Sequence, residues 1–368
     1  MAPLSDQLLV VTILAYTAAM LGYAAEYAFG ARGAVARAAG RPVAVEKSLV
    51  TAPASREPAG RNGLAERDRL DGRDGLAEMD GPVEPAVHLD AAEAVGAPPP
   101  PVDPAAPESR GNAAWAGRLA VAATVAGALA QVACLVTRGL AAGRVPWGNM
   151  YEFVIAVTLV GVLAWLVVLS RRPSVRPLGL YVALVAAILL GLAGMRLYAK
   201  AGPLVPALNS YWLRIHVSAA ATASGIFLFG GVSAILYLVR SRYEAVTAAG
   251  APLKFPATLG PRLPATDSLE RLAFRLHAFA FPIWTFAIIC GAIWAESAWG
   301  RYWGWDPKET WSFISWVVYA GYLHARATPS VRRTTTAWLA VVGWITMMIN
   351  LFGVNLVISG LHSYAGVK

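Results

Sequence analysis

Apolar residues run through this chain in blocks about as long as the roughly 20 residues that cross a bilayer, and polar residues collect between them. The blocks predict eight helical spans, near 8–29, 113–137, 150–170, 177–198, 211–239, 275–295, 311–327 and 336–358. The span at 211–239 is long enough for its first turn or two to project above the bilayer. The block near 8–29 has no basic residue ahead of it, follows Asp6 and is longer than the apolar part of a signal peptide, so it reads as a retained span. The expected fold is an all-α polytopic membrane protein.

Between the first two spans the pattern vanishes. Residues 31–112 hold 11 of the 24 prolines, including Pro98-Pro99-Pro100-Pro101, and aromatic residues are absent from Ala31 to Ala114. Such a segment buries too little apolar surface to offset its ordering entropy, which predicts a long disordered insert with no catalytic role. The chain then divides into an N-terminal helix at 1–30, the insert at 31–112 and a transmembrane domain at 113–368.

Composition agrees: of 368 residues, 57% are hydrophobic and only 14% charged. The formal charge of +9 divides unevenly, with −3 in the insert and +12 elsewhere. The connections 171–176, 240–274 and 325–335 hold eleven Lys or Arg, and the alternate ones six. By the positive-inside rule the first set is cytoplasmic, so the insert lies inside and both termini face outward. The basic excess reflects loops of a membrane protein rather than nucleic-acid binding. Cys134 and Cys290 sit in apolar blocks as small core residues, and with no C-x-x-C or C-x-x-C-H the chain is neither a dithiol exchanger nor itself a c-type cytochrome. No phosphate-binding G-x-x-x-x-G-K-[ST] pattern occurs.

The segment Trp294 to Trp316 breaks the rule of one or two interfacial anchors per helix end. It holds six of the thirteen tryptophans, interleaved with Gly300, Gly304, Asp306, Lys308 and Glu309, on the outer side. That surface suits a large, flat, apolar ligand with a charged edge, such as haem. His216 and His362 fall on the same side and come from different helices, as two axial ligands of one iron would. Arg214, Arg301 or Lys308 could pair with the propionates. Each of the two histidines could instead be an interfacial residue bonded to water or backbone. His324, near the inner end of its span, either snorkels to the interface or is functional. His277 reads as structural, and His88 falls in the insert. Asn149 and Glu152, like Asn209 and Trp212, sit at outer helix starts, where they either cap the helix or line the outer pocket. Asp306-Pro307 with Glu309 has the form of an N-cap followed by a proline at the first helical position.

The motif W-G-R-Y-W-G-W-D-P-K-E at 299–309, preceded by G-A-I-W-A at 291–295, resembles the tryptophan-rich haem-handling (WWD) family of cytochrome c assembly proteins. N-M-Y-E at 149–152, S-Y-W-L-R-I-H at 210–216 and S-G-L-H-S-Y at 359–364 agree with it. Within that family the chain looks like the CcsA/ResC type of system II (CcsB in actinobacterial naming). The resemblance covers roughly 113–368, with 1–30 as a further family span, while the insert departs from the family pattern.

The resemblance implies a multi-pass protein of the cytoplasmic (inner) membrane that carries haem b to the outer face and presents it to apocytochrome c, whose C-x-x-C-H thiols add to the vinyl groups. It is then the membrane subunit of a holocytochrome c synthase, a haem lyase. Carried over, His216 and His362 are the outer axial ligands. The segment 294–316, with Trp294, Trp299, Trp303, Trp305, Asp306 and Trp311, is the haem platform. His324 is an inner axial ligand whose counterpart belongs to a ResB-type partner subunit. A thioredoxin-like protein would keep the client thiols reduced. The runner-up reading is a haem exporter that leaves attachment to another protein; a third is a non-haem scaffold with an aromatic belt.

Overall fold

The computed structural model describes residues 1–29, 106–203, 210–358 and 360–361, with side chains from residue 114 in the second stretch. His88, Asn209, His362 and nearly all of the expected insert lie outside the described residues. Those described are mainly helical, with no strand among them. The helices are α1 (Ala2–Phe29), α2 (Ala106–Ala142), α3 (Met150–Arg171), α4 (Gly179–Arg196), α5 (Tyr211–Ala248), α6 (Thr266–Trp299), α7 (Pro307–Ala327) and α8 (Arg333–Met348). A π-helical turn at Ile349–Gly353 and a last short helix, α9 (Val354–Val357), continue α8.

Among the described residues, seven helices are long and apolar enough to cross a membrane. The remaining expected span, 311–327, is helical as part of α7 but too polar to meet that standard. Lys308, Glu309, Ser312 and Ser315 near its start and His324 and Arg326 near its end make it amphipathic. α2 begins at Ala106 rather than near residue 113.

A polar network ties α1, α2 and α3 together inside the helix layer, where a lipid surround offers no partners. Tyr16 on α1 donates to Gln131 Oε1 on α2 at 2.6 Å, and Gln131 Nε2 donates to Ile155 O at 2.9 Å and Thr158 Oγ1 at 2.8 Å on α3. Where helices touch most closely, glycine makes room. A Cβ on Gly225 of α5 would lie 2.6 Å from Val157 O on α3. Gly225→Ala is therefore expected to force α3 and α5 apart at a cost of about 1–3 kcal/mol, typical of overpacking. Thermal unfolding of the detergent-solubilised protein checks this, and an unchanged midpoint would show that the contact yields without strain.

The predicted inner ends are tied by charge. Arg176 pairs with Glu26, Arg326 pairs with Glu270, and Arg240 Nη1 donates to Gly260 O at 2.8 Å. His277 is fully buried, bonded through Nδ1 to Ala273 O at 2.7 Å and packed among Phe227, Tyr319 and Tyr322. Its Nε2 is buried without a hydrogen-bond partner among the described residues. Cys134 and Cys290 are buried and unpaired by disulfide.

Candidate functional site

At the opposite ends of these helices a cavity opens between α3, α5, α6, α7 and the π-turn. Counting its open mouth, it spans about 1200 Å³. Helical periodicity decides which residues reach it. On α5 these are Leu213, His216, Val217, Ala220 and Ser224, one stripe at spacings of three and four. On α6, Trp284, Ile288, Gly291, Ala295 and Trp299 form the facing stripe. α7 contributes Lys308, Glu309 and Ser312, and the loop before α3 contributes Trp147, Gly148 and Asn149.

His216 is held in one orientation. Its Nδ1 lies 2.7 Å from the carbonyl oxygen of Ala287. A carbonyl only accepts, so Nδ1 carries the proton and, in the neutral ring, the lone pair is on Nε2. Metal-binding histidines are commonly oriented this way, with the second nitrogen on a backbone carbonyl. Room for the ring comes from Gly291, one turn beyond Ala287: a Cβ there would lie 2.7 Å from Nδ1.

The aromatic wall is made by Trp294, Trp299 and Trp303 together with Trp147, Trp284 and Tyr302. Trp294 is 2% exposed and packs edge-on against Trp299, ring centres 4.8 Å apart. Trp305 takes no part in the lining. It is 64% exposed, with its ring edge-on to Trp303 and Phe313. Its φ of 57° lies in the left-handed region, which costs a residue with a Cβ about 1–2 kcal/mol. Glu309 offsets that strain by accepting the N–H groups on both sides of Trp305, Gly304 at 2.8 Å and Asp306 at 3.0 Å. Gly300, at φ 70°, ends α6 in the same region without that penalty.

Asp306 is the N-cap of α7, with Pro307 next and Glu309 completing a capping box. It also reaches across to the chain's far end: its Oδ1 accepts the N–H of Leu361 at 2.8 Å. Trp311 lies on α7 off the lining stripe and is half-buried. Arg214 and Arg301 are exposed and outside the lining, so of the three expected carboxylate partners only Lys308 is brought to the cavity.

His324 is exposed near the far end of α7, in a stripe with Phe313, Val317 and Gly321. Asn149 does both things weighed for it: it lines the cavity and caps α3, its Oδ1 accepting the N–H of Glu152 at 2.9 Å. Glu152 is buried behind the wall, paired with Arg138 and Arg144. Trp212 does not line the cavity. Trp147, Trp284, Ser312, Asn350 and Asn355 are lining residues that no motif marked.

A family model described as "Cytochrome C assembly protein" matches residues 147–362. The chain is similar to the cytochrome c biogenesis protein CcsA of Guillardia theta, 37% identical over 241 residues that cover 62% of this chain and 80% of the relative. It is similar to that of Synechococcus elongatus, 36% identical over 276 residues covering 64% and 84%. For the protein of Pyropia yezoensis the values are 33% over 278 residues, covering 67% and 87%. The matched segment begins at Trp147, the first lining residue, and contains all the others. The chain therefore belongs to the cytochrome c assembly protein family, as a CcsA-type multi-pass membrane protein of cytochrome c biogenesis.

Proposed function

We propose that this chain takes haem b from the inner side of the cytoplasmic membrane, holds it in the outer cavity and presents it for thioether attachment to apocytochrome c. The observation that carries this reading is His216, fixed by Ala287 so that Nε2 is the ligating nitrogen, in a cavity walled by tryptophan. The lining supports this reading with apolar and aromatic residues to face the macrocycle and one cationic side chain, Lys308, to meet an ionised propionate. His362 is the second axial ligand. It follows directly on Leu361, whose N–H is anchored to Asp306 at the edge of the Trp-rich loop.

With the iron held on both faces, the work left to the protein is positioning. Each client thiol adds S–H across a vinyl group, carbon taking the sulfur and its neighbour the hydrogen, with no external oxidant. The client's own C-x-x-C-H histidine then replaces one axial ligand and releases the product. The exposed stripe of α7 ending in His324 is the face for a ResB-type subunit, which supplies the counterpart to that inner ligand. A thioredoxin-like protein keeps the client cysteines reduced. Crosslinking of a C-x-x-C-H peptide near Trp305 separates this synthase from a haem exporter, which needs no such contact.

The testing measurement is the absorption spectrum of the purified chain with its partner. A reduced, six-coordinate bis-histidine spectrum is expected, lost or shifted in His216→Ala. A haem spectrum unchanged by that substitution would move the bound haem away from the outer cavity. Gly291→Ala tests the same geometry without touching a ligand. Its methyl displaces the imidazole, so outer-site haem affinity is expected to fall by about 10–100-fold, the range seen when a ligand's orienting partner is lost. Affinity equal to wild type would show that the ring has room to shift and still bind iron.

A further inference from the structure

The polar corner of the cavity is built around the π-turn. Inserting one residue into the ladder releases main-chain carbonyls that an α-helix would use internally. Val354 N–H reaches back to Ile349 O, Asn350 O accepts from Lys308 Nζ at 2.9 Å, and Leu351 O accepts from Asn355 Nδ2 at 2.6 Å. Lys308, Asn350 and Asn355 all line the cavity. Asn350 Nδ2 donates to Ser312 Oγ at 3.1 Å, and Ser312 spends its own proton on Lys308 O at 2.7 Å. That leaves Asn350 Oδ1 buried, on a residue 3% exposed, with no hydrogen-bond partner among the described residues. An acceptor stranded like this calls for a donor that the described residues do not supply.

We infer that Lys308 and Asn350 form a two-point subsite for a ligand bearing two carboxyl arms, one ionised against the Lys308 ammonium and one protonated, its O–H donating to Asn350 Oδ1. This deepens the haem reading and rests on it: the arms are the propionates of the porphyrin. Two ionised arms in one desolvated corner with a single ammonium would repel each other, and burial favours the neutral acid for the arm without the cation. Among the described residues Lys308 Nζ makes one hydrogen bond, which leaves two of its three donors for the ionised arm. Asn350 is thereby a ligand-contacting residue that selects the free acid over its ester.

The experiment titrates the purified chain with haem and with haem dimethyl ester, following the Soret band. Wild type is expected to prefer the free acid. Asn350→Leu, close in volume, is expected to reduce that preference by about tenfold, the effect of one hydrogen bond to a buried acceptor, while leaving ester affinity near wild type. Asn350→Asp places a second negative charge beside the ionised arm, so it too is expected to weaken the acid selectively. Preference retained in full by both variants overturns the subsite. An equal loss of acid and ester in both also overturns it, because Asn350 then serves only to hold the π-turn. If wild type takes up neither compound, the haem reading itself fails and the subsite falls with it. Wild-type haem uptake with no acid preference refutes the subsite alone.

Discussion

His216→Gly is expected to stop haem attachment to a co-expressed apocytochrome, and added imidazole to restore part of it. Removing a partner that merely orients a metal-bound histidine typically costs about 10–100-fold, so removing the ligand itself is expected to exceed that. Rescue follows from the local geometry. Glycine leaves an imidazole-shaped gap whose floor is still Gly291, and the Ala287 carbonyl that held Nδ1 at 2.7 Å can hold the N–H of free imidazole. The exogenous ring then offers its other nitrogen to the iron from nearly the same place. Partial recovery is expected, because a free ligand must be immobilised in each turnover. The measurement is the yield of haem-stained cytochrome with and without imidazole. Wild-type yield from the variant with no imidazole present would take His216 off the iron.

What could be read from sequence was whatever local spacing carries. Trp294, Trp299 and Trp303 were marked by their crowding, and each lines the cavity. His216 was marked as a polar residue at an outer helix start, and Asp306 as an N-cap. The two arginines show where that reasoning stops. Arg214 is two residues from His216, about 200° around the same helix, so the periodicity that turns Leu213, His216 and Val217 inward turns Arg214 to the exterior. Arg301 follows the left-handed residue Gly300, and a reversal of chain direction is not visible in composition. Trp311 misses the lining because Lys308, Glu309 and Ser312 already occupy the inward stripe of α7.

Asn350 was hidden for a different reason. I-N-L-F-G reads as ordinary apolar helix, and only the π-turn frees its backbone carbonyl and sets its amide at the cavity. Trp147 and Trp284 are brought to the wall by packing between elements distant in the chain, and neither stands in a distinctive local pattern. The amphipathic nature of α7 was legible residue by residue. Its apolar first half, W-S-F-I-S-W-V-V-Y, nevertheless made it resemble the other spans.

Glu152→Leu is expected to be the most destabilising single change in the cavity's support. Glu152 is 0% exposed, and its carboxylate carries three obligations. Arg138 Nε donates to it at 2.8 Å, Arg144 Nη1 at 2.7 Å and the Gly148 N–H at 2.8 Å. Arg138 is itself 1% exposed, so leucine would strand a buried guanidinium, and breaking a buried pair this way costs about 3–5 kcal/mol. Asp6, 3.9 Å from Arg138 and partly exposed, compensates only weakly. The damage also has a direction. Arg144 fastens the loop ahead of α3, and Gly148 stands between Trp147 and Asn149 on the cavity wall. Thermal unfolding and haem titration of the same preparation are therefore expected to decline together. Glu152→Gln, which keeps one acceptor, falls between leucine and wild type. Replacing Glu152, Arg138 and Arg144 together by apolar residues of similar volume is expected to recover much of the stability, since no charge is then left stranded. It would not recover the haem affinity, because Gly148 would still lack its acceptor. Equal recovery of both would mean that the ion network stabilises the helices without shaping the wall.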